Sequence, residues 1–309
     1  MRDASSPGTV SLRLPFRPPF CPDNLFGHLA ATAVPGCEEV RDGAYRRTLR
    51  LPLGSGVVAL RPEADHVACR LVLDDPRDLP AAESRCRWLL DLDADPEAVT
   101  EVLAADPALA PGVLGWRARR VPRSVDEREM ALRVVLGQQV STGAARTHAA
   151  RLVTSYGTPI VDREGGLTHV FPTPEELVEL DPSTLALPHA RRRCVAALVQ
   201  ALADGELELG PDADWARARH QLAALPGVGP WTVEMIALRA LGDPDAFPGG
   251  DLGVRRAAGA LGMGATPAAL AARATSWQPW RAYAVQYLWA VDDDHPINQW
   301  PINRWPTRA

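Results

Sequence analysis

The stretch LPGVGPWT, from Leu225 to Thr232, is the most informative part of the sequence. Helix-forming sequence lies on both sides, with WARARHQLAA before it and VEMIALRAL after it. Glycines at positions 227 and 229 let the backbone approach a ligand closely and adopt positive φ without steric cost. Pro230 lacks an N–H and presets the first turn of the next helix. The stretch therefore predicts a hairpin between two helices, over about residues 214–241.

This hairpin either binds a ligand or only joins two helices. A helix N-terminus with free amides and no obstructing side chains suits a phosphate. The alternative is an ordinary helix–helix turn with a glycine cap. Further on, FPGGDLGVRR places Asp251 after two glycines and before another helix. Asp251 is either a plain N-cap or a carboxylate held at the mouth of a cleft.

Composition excludes several classes of protein. The chain has 309 residues, 46% of them hydrophobic, which allows two domains or one large one with a substantial core. No run approaches the roughly 18 apolar residues of a membrane span, and MRDASSPGTV has no apolar segment of the secretory kind. Five scattered cysteines, none in a CxxC pair, argue for a reducing compartment and against a zinc or iron–sulfur site. We therefore expect a cytoplasmic protein without a membrane partner.

The charge of the chain is unusual in one respect. The net charge is −5, and all 33 basic residues are arginine, because the chain has no lysine. Arginines cluster at positions 117–123, 191–193 and 255–256, where each cluster is a solvated surface or part of a binding face. A negative net charge does not exclude nucleic acid, since a contact face need not share the sign of the whole.

The chain divides into regions of different character. Residues 1–80 contain strand-like runs on either side of Gly54–Gly56, a third strand at 67–73 and a helix at 24–34. From residue 81 to about 291 nearly everything is helix punctuated by Pro and Gly. The predicted class is α+β, a small N-terminal α/β domain with an antiparallel sheet followed by a mainly α-helical body. Residues 292–309 read as an irregular C-terminal tail.

Two helix starts are predicted within the body. Ser124 to Glu127 matches a capping box, directly before REMALRVVLGQQV. Asp214 is the expected N-cap of the helix that enters the hairpin.

These segments together resemble the helix-hairpin-helix DNA glycosylase superfamily, and within it the DNA-3-methyladenine glycosylase II (AlkA-type) branch. The likeness covers nearly the whole chain, through NLFGHLAATAV, YRRTLRLPLGSGVVALRP, RVVLGQQVSTGAARTHAARLVTSYG, the hairpin and WQPWRAYAVQYLW, in that order. It implies a monofunctional base-excision repair enzyme, monomeric, that acts on damaged double-stranded DNA. Such an enzyme flips out N3- or N7-alkylated purines and hydrolyses the N-glycosidic bond, leaving an abasic site.

The resemblance implies a catalytic aspartate at Asp251, which would stabilise an oxocarbenium-like sugar or orient the attacking water. It also implies a base pocket formed by Trp289, Trp231, Met235, His28 and Leu252. For the two tryptophans the alternative is burial in the core. Met235 replaces a tyrosine of the relatives and His28 a phenylalanine, so the range of substrates stays open.

Other positions are assigned to DNA by the same resemblance. The amides of Gly227, Gly229 and Thr232 would hold a DNA phosphate. Gln139 would fill the gap left by the flipped base, although close relatives often have leucine there; the alternative is a polar contact inside the helical body. No cofactor is expected for catalysis.

A monovalent cation is a further implication of the resemblance. Backbone carbonyl groups of Ala223, Leu225 and Val228 would bind Na⁺ or K⁺ at the hairpin. The ion would have a structural and electrostatic role.

Rival functions remain to be weighed. A glycosylase/lyase would need a lysine at the position of Trp231, and the chain has none. A non-catalytic DNA-binding protein with the same hairpin would have no use for Asp251. A glycosylase of the same family with shifted lesion specificity is the remaining alternative. A chain that also senses alkylation is expected to carry a cysteine-rich metal domain, for which the five cysteines give no signal.

Overall fold

A computed structural model describes residues 8–115, 118–264 and 266–292. Within these residues the largest sheet has five strands, all antiparallel, in the order β1-β5-β4-β3-β2. The strands are β1 (Gly8–Pro15), β2 (Glu38–Arg41), β3 (Ala44–Arg50), β4 (Ser55–Pro62) and β5 (His66–Leu73). The predicted antiparallel sheet is confirmed, although β1 and β2 were not foreseen.

One face of the sheet forms the core of the N-terminal region. Alternate residues of β5 are buried, from Val67 to Leu73, as the period of two requires. Helix α1 (Pro22–Thr32) packs Leu25 and Phe26 into this core. Helix α2 (Leu79–Leu89) begins at the predicted boundary near residue 80 and also buries its apolar side chains there, so the sheet is covered by helices from both sides of that boundary.

The rest of the described chain is mainly helical. Its helices are α3 (Pro96–Leu103), α4 (Ala110–Gly115), α5 (Glu127–Leu136), α6 (Thr142–Tyr156), α7 (Pro174–Leu177), α8 (His189–Ala203), α9 (Trp215–Ala224), α10 (Pro230–Ile236), α11 (Leu252–Ala260), α12 (Pro267–Ala274) and α13 (Arg281–Val291). Two short strands, β6 (Thr158–Pro159) and β7 (His169–Val170), pair between α6 and α7. A π-helical segment, Ala237–Leu241, continues α10. The predicted tail lies outside the described residues from residue 293 onward.

The helical body has its own core. It includes Val135 of α5, Leu198 of α8, Ile236 of α10 and Leu288 of α13, all fully buried. In the described chain, no helix is both long and apolar enough to cross a lipid bilayer.

The predicted capping box at Ser124 is wrong, although a helix does begin there. Asp126 is the N-cap of α5, and its carboxylate accepts hydrogen bonds from the N–H groups of Arg128 and Glu129. The Ser124 hydroxyl instead contacts the backbone of Asp126. An aspartate two residues later captured the free amides, since its charge makes it the stronger acceptor.

A buried ionic cluster joins the sheet to α5. Arg47 of β3 donates to Glu38 of β2 and to Glu129 of α5, while Arg133 donates to the same two carboxylates. Tyr45 completes the cluster by donating to Glu38 at 2.7 Å. Each charge is therefore paired, which buried ions require.

Candidate active site

The predicted hairpin is present between α9 and α10. Asp214 caps α9, as predicted, by accepting from the N–H of Arg217. Gly227 has a φ of +82°, a conformation that favours glycine. Helix α10 begins at Pro230 after Gly229, and no side chain caps its first turn. The hairpin therefore ends in a helix N-terminus that has uncapped amides.

The two hairpin glycines are required for different reasons. A Cβ atom on Gly227 would lie 3.2 Å from the Cβ of Cys194 in α8, so packing as well as φ restricts this position. A Cβ atom on Gly229 would meet nothing within 4 Å, and its φ of −99° is open to any residue. No intramolecular contact requires glycine at 229, so its bare surface is consistent with the close approach of a ligand.

Asp251 is an N-cap and also belongs to a pocket, so its two alternative roles coexist. Its carboxylate accepts from the N–H of Val254 at 3.1 Å, within the first turn of α11. It also accepts from the indole N–H groups of Trp231 and Trp289, each at 3.0 Å. Three donors from three elements fix the orientation of the carboxylate.

A cavity of about 310 Å³ opens beside this carboxylate. Its wall includes five of the predicted site residues, namely His28, Trp231, Met235, Asp251 and Trp289. Leu252, also predicted, is 63% exposed at the start of α11 and does not line the cavity. The sequence prediction therefore brought together residues from α1, α10, α11 and α13, and Leu252 lies outside the group.

A cation in the pocket wall was missed by sequence analysis. Arg239 lines the cavity, is 3% exposed and donates to the carbonyl of Pro122 at 2.5 Å. Its guanidinium lies 5.2 Å from the ring centroid of Trp289. Burial lowers the pKa of Arg239 to about 9, against the opposing effect of Asp251. The side chain is thus still a cation at neutral pH. Arg239 follows Met235 by four residues and so lies on the same face of the helix, which is the sequence signal that could have revealed it.

The loop between α5 and α6 forms a rim of the cavity, to which Gly137 and Val140 contribute. Gln139 in this loop is exposed and has a φ of +53°. The neighbouring Gln138, to which no role was assigned, donates from its side-chain amide to the carbonyl of Gly227 at 3.2 Å and to the hydroxyl of Thr232 at 2.9 Å. Gln138 therefore attaches this loop, which also contains Gln139, to the hairpin.

The remaining predicted positions lie in the hairpin. Thr232 is 3% exposed, and its hydroxyl accepts a hydrogen bond from Gln138. Its side chain is therefore occupied, and the part of Thr232 left for a ligand is its backbone in the first turn of α10. The carbonyl of Leu225 accepts from the N–H of Val228 at 3.2 Å and keeps a second lone pair. Backbone carbonyls of Ala223, Leu225 and Val228 are neutral oxygen donors, and this chemistry fits a monovalent cation.

Comparison with protein families gives two matches along the chain. Residues 11–126 match the AlkA N-terminal domain, and residues 132–282 match the HhH-GPD superfamily of base excision DNA repair proteins. The first match extends past residue 80 and takes in α2, in keeping with the packing of that helix on the sheet.

Curated proteins with similar sequences are repair proteins by name. The chain is 62% identical over 297 residues to the "Probable bifunctional transcriptional activator/DNA repair enzyme AlkA" of Mycobacterium tuberculosis, covering 96% of this chain and 60% of that protein. It is 31% identical over 288 residues to "DNA-3-methyladenine glycosylase 2" of Escherichia coli, covering 92% of this chain and 98% of that one. The chain thus spans about 60% of the length of the mycobacterial relative.

Solved structures share the fold at low sequence identity. A 3-methyladenine DNA-glycosylase from Archaeoglobus fulgidus superposes with a TM-score of 0.78 at 20% identity, covering 92% of this chain and 98% of that chain. The 8-oxoguanine glycosylase/lyase of Clostridium acetobutylicum, with DNA, gives 0.63 at 18% identity, covering 82% and 97%. These likenesses concern the arrangement of the elements.

Proposed function

The chain belongs to the AlkA-type DNA-3-methyladenine glycosylases of the HhH-GPD base excision repair superfamily, and we propose that it is a monofunctional DNA glycosylase for alkylated purines. The observation that carries this proposal is the Asp251 carboxylate, held by two indole N–H groups in the wall of a cavity of about 310 Å³. A protein that only bound DNA would have no use for a carboxylate so placed.

DNA binding begins at the hairpin in this proposal. The amides of Gly227, Gly229 and Thr232 hold a phosphate at the N-terminus of α10, where the helix dipole favours an anion. Gln139, exposed on the adjoining loop, fills the space left when the damaged base leaves the stack. Na⁺ or K⁺ on the carbonyls of Ala223, Leu225 and Val228 would add positive charge beside the phosphate.

The flipped base then occupies the pocket beside Asp251. As the bond between C1′ and the purine nitrogen breaks, its electron pair leaves with the base, and positive charge develops on the sugar. The Asp251 carboxylate stabilises that charge, and a water oxygen forms the new bond to C1′. An N3- or N7-alkylated purine is cationic, so it leaves as a neutral base without being protonated first. The proton released by the water passes to Asp251 or to solvent.

The reaction stops at the abasic site. Lyase chemistry requires an amine that forms a Schiff base with the sugar. By the family resemblance, Trp231 stands where lyases of the superfamily have lysine. The chain has no lysine to replace it. The product is therefore duplex DNA with an abasic site.

The pocket also favours a wider lesion range than cationic purines alone. By the family resemblance, Met235 and His28 stand where relatives have aromatic side chains, and Arg239 adds a guanidinium to the wall. A guanidinium attracts bases with exposed acceptor atoms, such as hypoxanthine, and repels a cation. Shifted lesion specificity is therefore the second candidate within the same reaction. The partner is damaged double-stranded DNA, bound by a monomer in the cytoplasm at the nucleoid.

Release of free base from defined duplexes tests the proposal. Duplexes with one 7-methylguanine, 3-methyladenine or hypoxanthine are incubated with wild type and with Asp251→Asn under single-turnover conditions. We expect release by wild type, no covalent adduct on borohydride trapping, and a loss of about 10²-fold or more in the variant. Binding of a duplex with an abasic-site analogue should persist in Asp251→Asn. No release from any lesion, or near-normal release by the variant, would refute the proposal.

A further inference from the structure

A basic side chain of α8 faces the hairpin. Arg191 lies in the first turn of α8 and is 8% exposed. The first two turns of α8 pack on the hairpin, because a Cβ atom on Gly227 would lie 3.2 Å from the Cβ of Cys194 and 3.8 Å from the carbonyl oxygen of Ala190. Positions 191 and 194 share one face of the helix. Arg191 is therefore directed to the side of α8 on which the hairpin lies.

Arg191 acts electrostatically on Cys194 of its own helix and on His148 of α6. Burial raises the pKa of the Cys194 thiol, and both the Gln138 amide and the Arg191 guanidinium oppose that rise. Burial lowers the pKa of His148 in α6, and Arg151 and Arg191 add to the lowering. Arg191 thus lies on the part of α8 that packs on the hairpin, within electrostatic range of α6.

Arg191 is a largely buried cation for which the described part of the chain supplies no anion. Its guanidinium forms no hydrogen bond or ion pair with the residues that the structure describes, although its backbone N–H donates to the carbonyl of Pro188. Two other buried arginines do have partners, since Arg47 pairs with two carboxylates and Arg120 donates to backbone carbonyls. A buried charge without a partner is costly. The first turn of α8 contains no acidic residue that could serve.

The positive charge around Arg191 is open to a ligand. Although the residue is largely buried, none of the unpaired guanidinium nitrogens of Arg191 is completely closed off from solvent. No side chain caps the N-terminus of α8, so the positive end of the helix dipole adds to the field of the guanidinium. An anion that approaches the hairpin would meet both.

We propose that Arg191 binds a second DNA phosphodiester, next to the one held by the hairpin amides. Guanidinium groups bind phosphate through two parallel N–H donors, and burial keeps the side chain ready for this geometry. The phosphate supplies the anion that the described residues do not provide at this position. The inference rests on the proposed function in that DNA is the ligand, but it does not depend on base release.

The dependence of binding on salt tests this inference. The dissociation constant of a short duplex with an abasic-site analogue is measured over a series of KCl concentrations for wild type, Arg191→Gln and Arg191→Lys. Each phosphate contact contributes about −0.9 to the slope of log K against log salt. Arg191→Gln should therefore have a slope shallower by about 0.9, and Arg191→Lys should keep the wild-type slope. Arg193→Gln, an exposed neighbour on α8, is the matched control and should leave the slope unchanged.

Two further measurements keep the inference open to refutation. Thermal unfolding without DNA should show Arg191→Gln to be no less stable than wild type, because it removes an unpaired charge. When single phosphates of the duplex are replaced by neutral methylphosphonates, one replacement should weaken DNA binding by wild type and leave DNA binding by Arg191→Gln unchanged. A wild-type slope in Arg191→Gln would overturn the inference. So would a loss of affinity in this variant that depended on the base opposite the abasic site and on no single phosphate. Failure of base release by wild type would refute only the proposed glycosylase.

Discussion

Trp289 contributes to the site through two parts of its side chain. Its indole N–H donates to Asp251, whereas one region of its ring faces the Arg239 guanidinium at 5.2 Å. The ring is 2% exposed, so it is both core and pocket wall. Because a cation already lies over the ring, stacking on Trp289 favours a cationic base less than an open indole would.

Removal of the guanidinium should change the preference between lesions. In Arg239→Met, we expect the ratio of single-turnover release of 7-methylguanine to that of hypoxanthine to rise about tenfold, or ~1.4 kcal/mol, which is the Coulomb energy of charges about 12 Å apart at an effective dielectric of 20. Both rates are measured on the same duplex sequence, with thermal unfolding as the control for folding. A ratio that is unchanged or lower would mean that Arg239 does not act on the base.

Trp289→Phe should separate the N–H from the ring. Phenylalanine keeps a π-face but cannot donate to Asp251, and a hydrogen bond to a charged group contributes about 1.5–3 kcal/mol. We expect release to slow by roughly ten- to a hundredfold for charged and neutral lesions alike. Trp231→Phe removes the second indole donor and should show the same pattern. Normal rates in both variants would limit the tryptophans to stacking and packing.

At the scale of the element, the hairpin offers one glycine that can be changed without strain. Gly229→Val places its side chain in open space at a φ of −99°, so the fold should be kept. A branched side chain there blocks the approach of a phosphate, and affinity should fall by about tenfold or more for damaged and undamaged duplexes alike. Fluorescence anisotropy measures the affinity, and thermal unfolding checks the fold.

Gly229→Ala provides a graded comparison, whereas Gly227 is unsuitable because its φ is +82° and it packs on Cys194. A loss confined to one lesion would contradict a contact to the backbone of DNA.

Local patterns predicted the elements well and their long-range contacts poorly. The alternation in β5 and the punctuation of the hairpin are visible in a short window of sequence, and both were confirmed. The contacts of Gln138 and the pairing of Arg47 with Glu129 join residues far apart in the chain, which no local pattern contains. The family resemblance assigned Leu252 to the base pocket, yet at the start of α11 it is 63% exposed.

At the scale of the molecule, the ionic cluster between the sheet and α5 makes stability depend on pH. Although burial alone raises it, Arg133 and Arg47 hold the pKa of Glu38 well below its ordinary value of 4.5. The folded state thus binds fewer protons than the unfolded state, so this contribution is present above pH 4.5 and is lost as the pH falls below it.

Urea unfolding at several pH values measures the effect. Glu38→Gln should be less stable by about 3–5 kcal/mol at neutral pH, because it leaves buried cations under-compensated. Its free energy of unfolding should also decline less steeply than that of wild type below pH 4.5. Equal slopes for the two proteins would show that Glu38 does not carry the acid sensitivity.

The two hydrogen bonds from Gln138 have a consequence for how the protein searches DNA. They join the loop that carries Gln139 to the hairpin, so the two cannot move independently while these bonds persist. If the hairpin binds a phosphate and Gln139 fills the gap left by a flipped base, as we propose, each capture of a phosphate would bring Gln139 to the same place along the strand, beside the neighbouring base pair. A weakened pair would then yield and an intact one would resist, so that one encounter would suffice to inspect the pair.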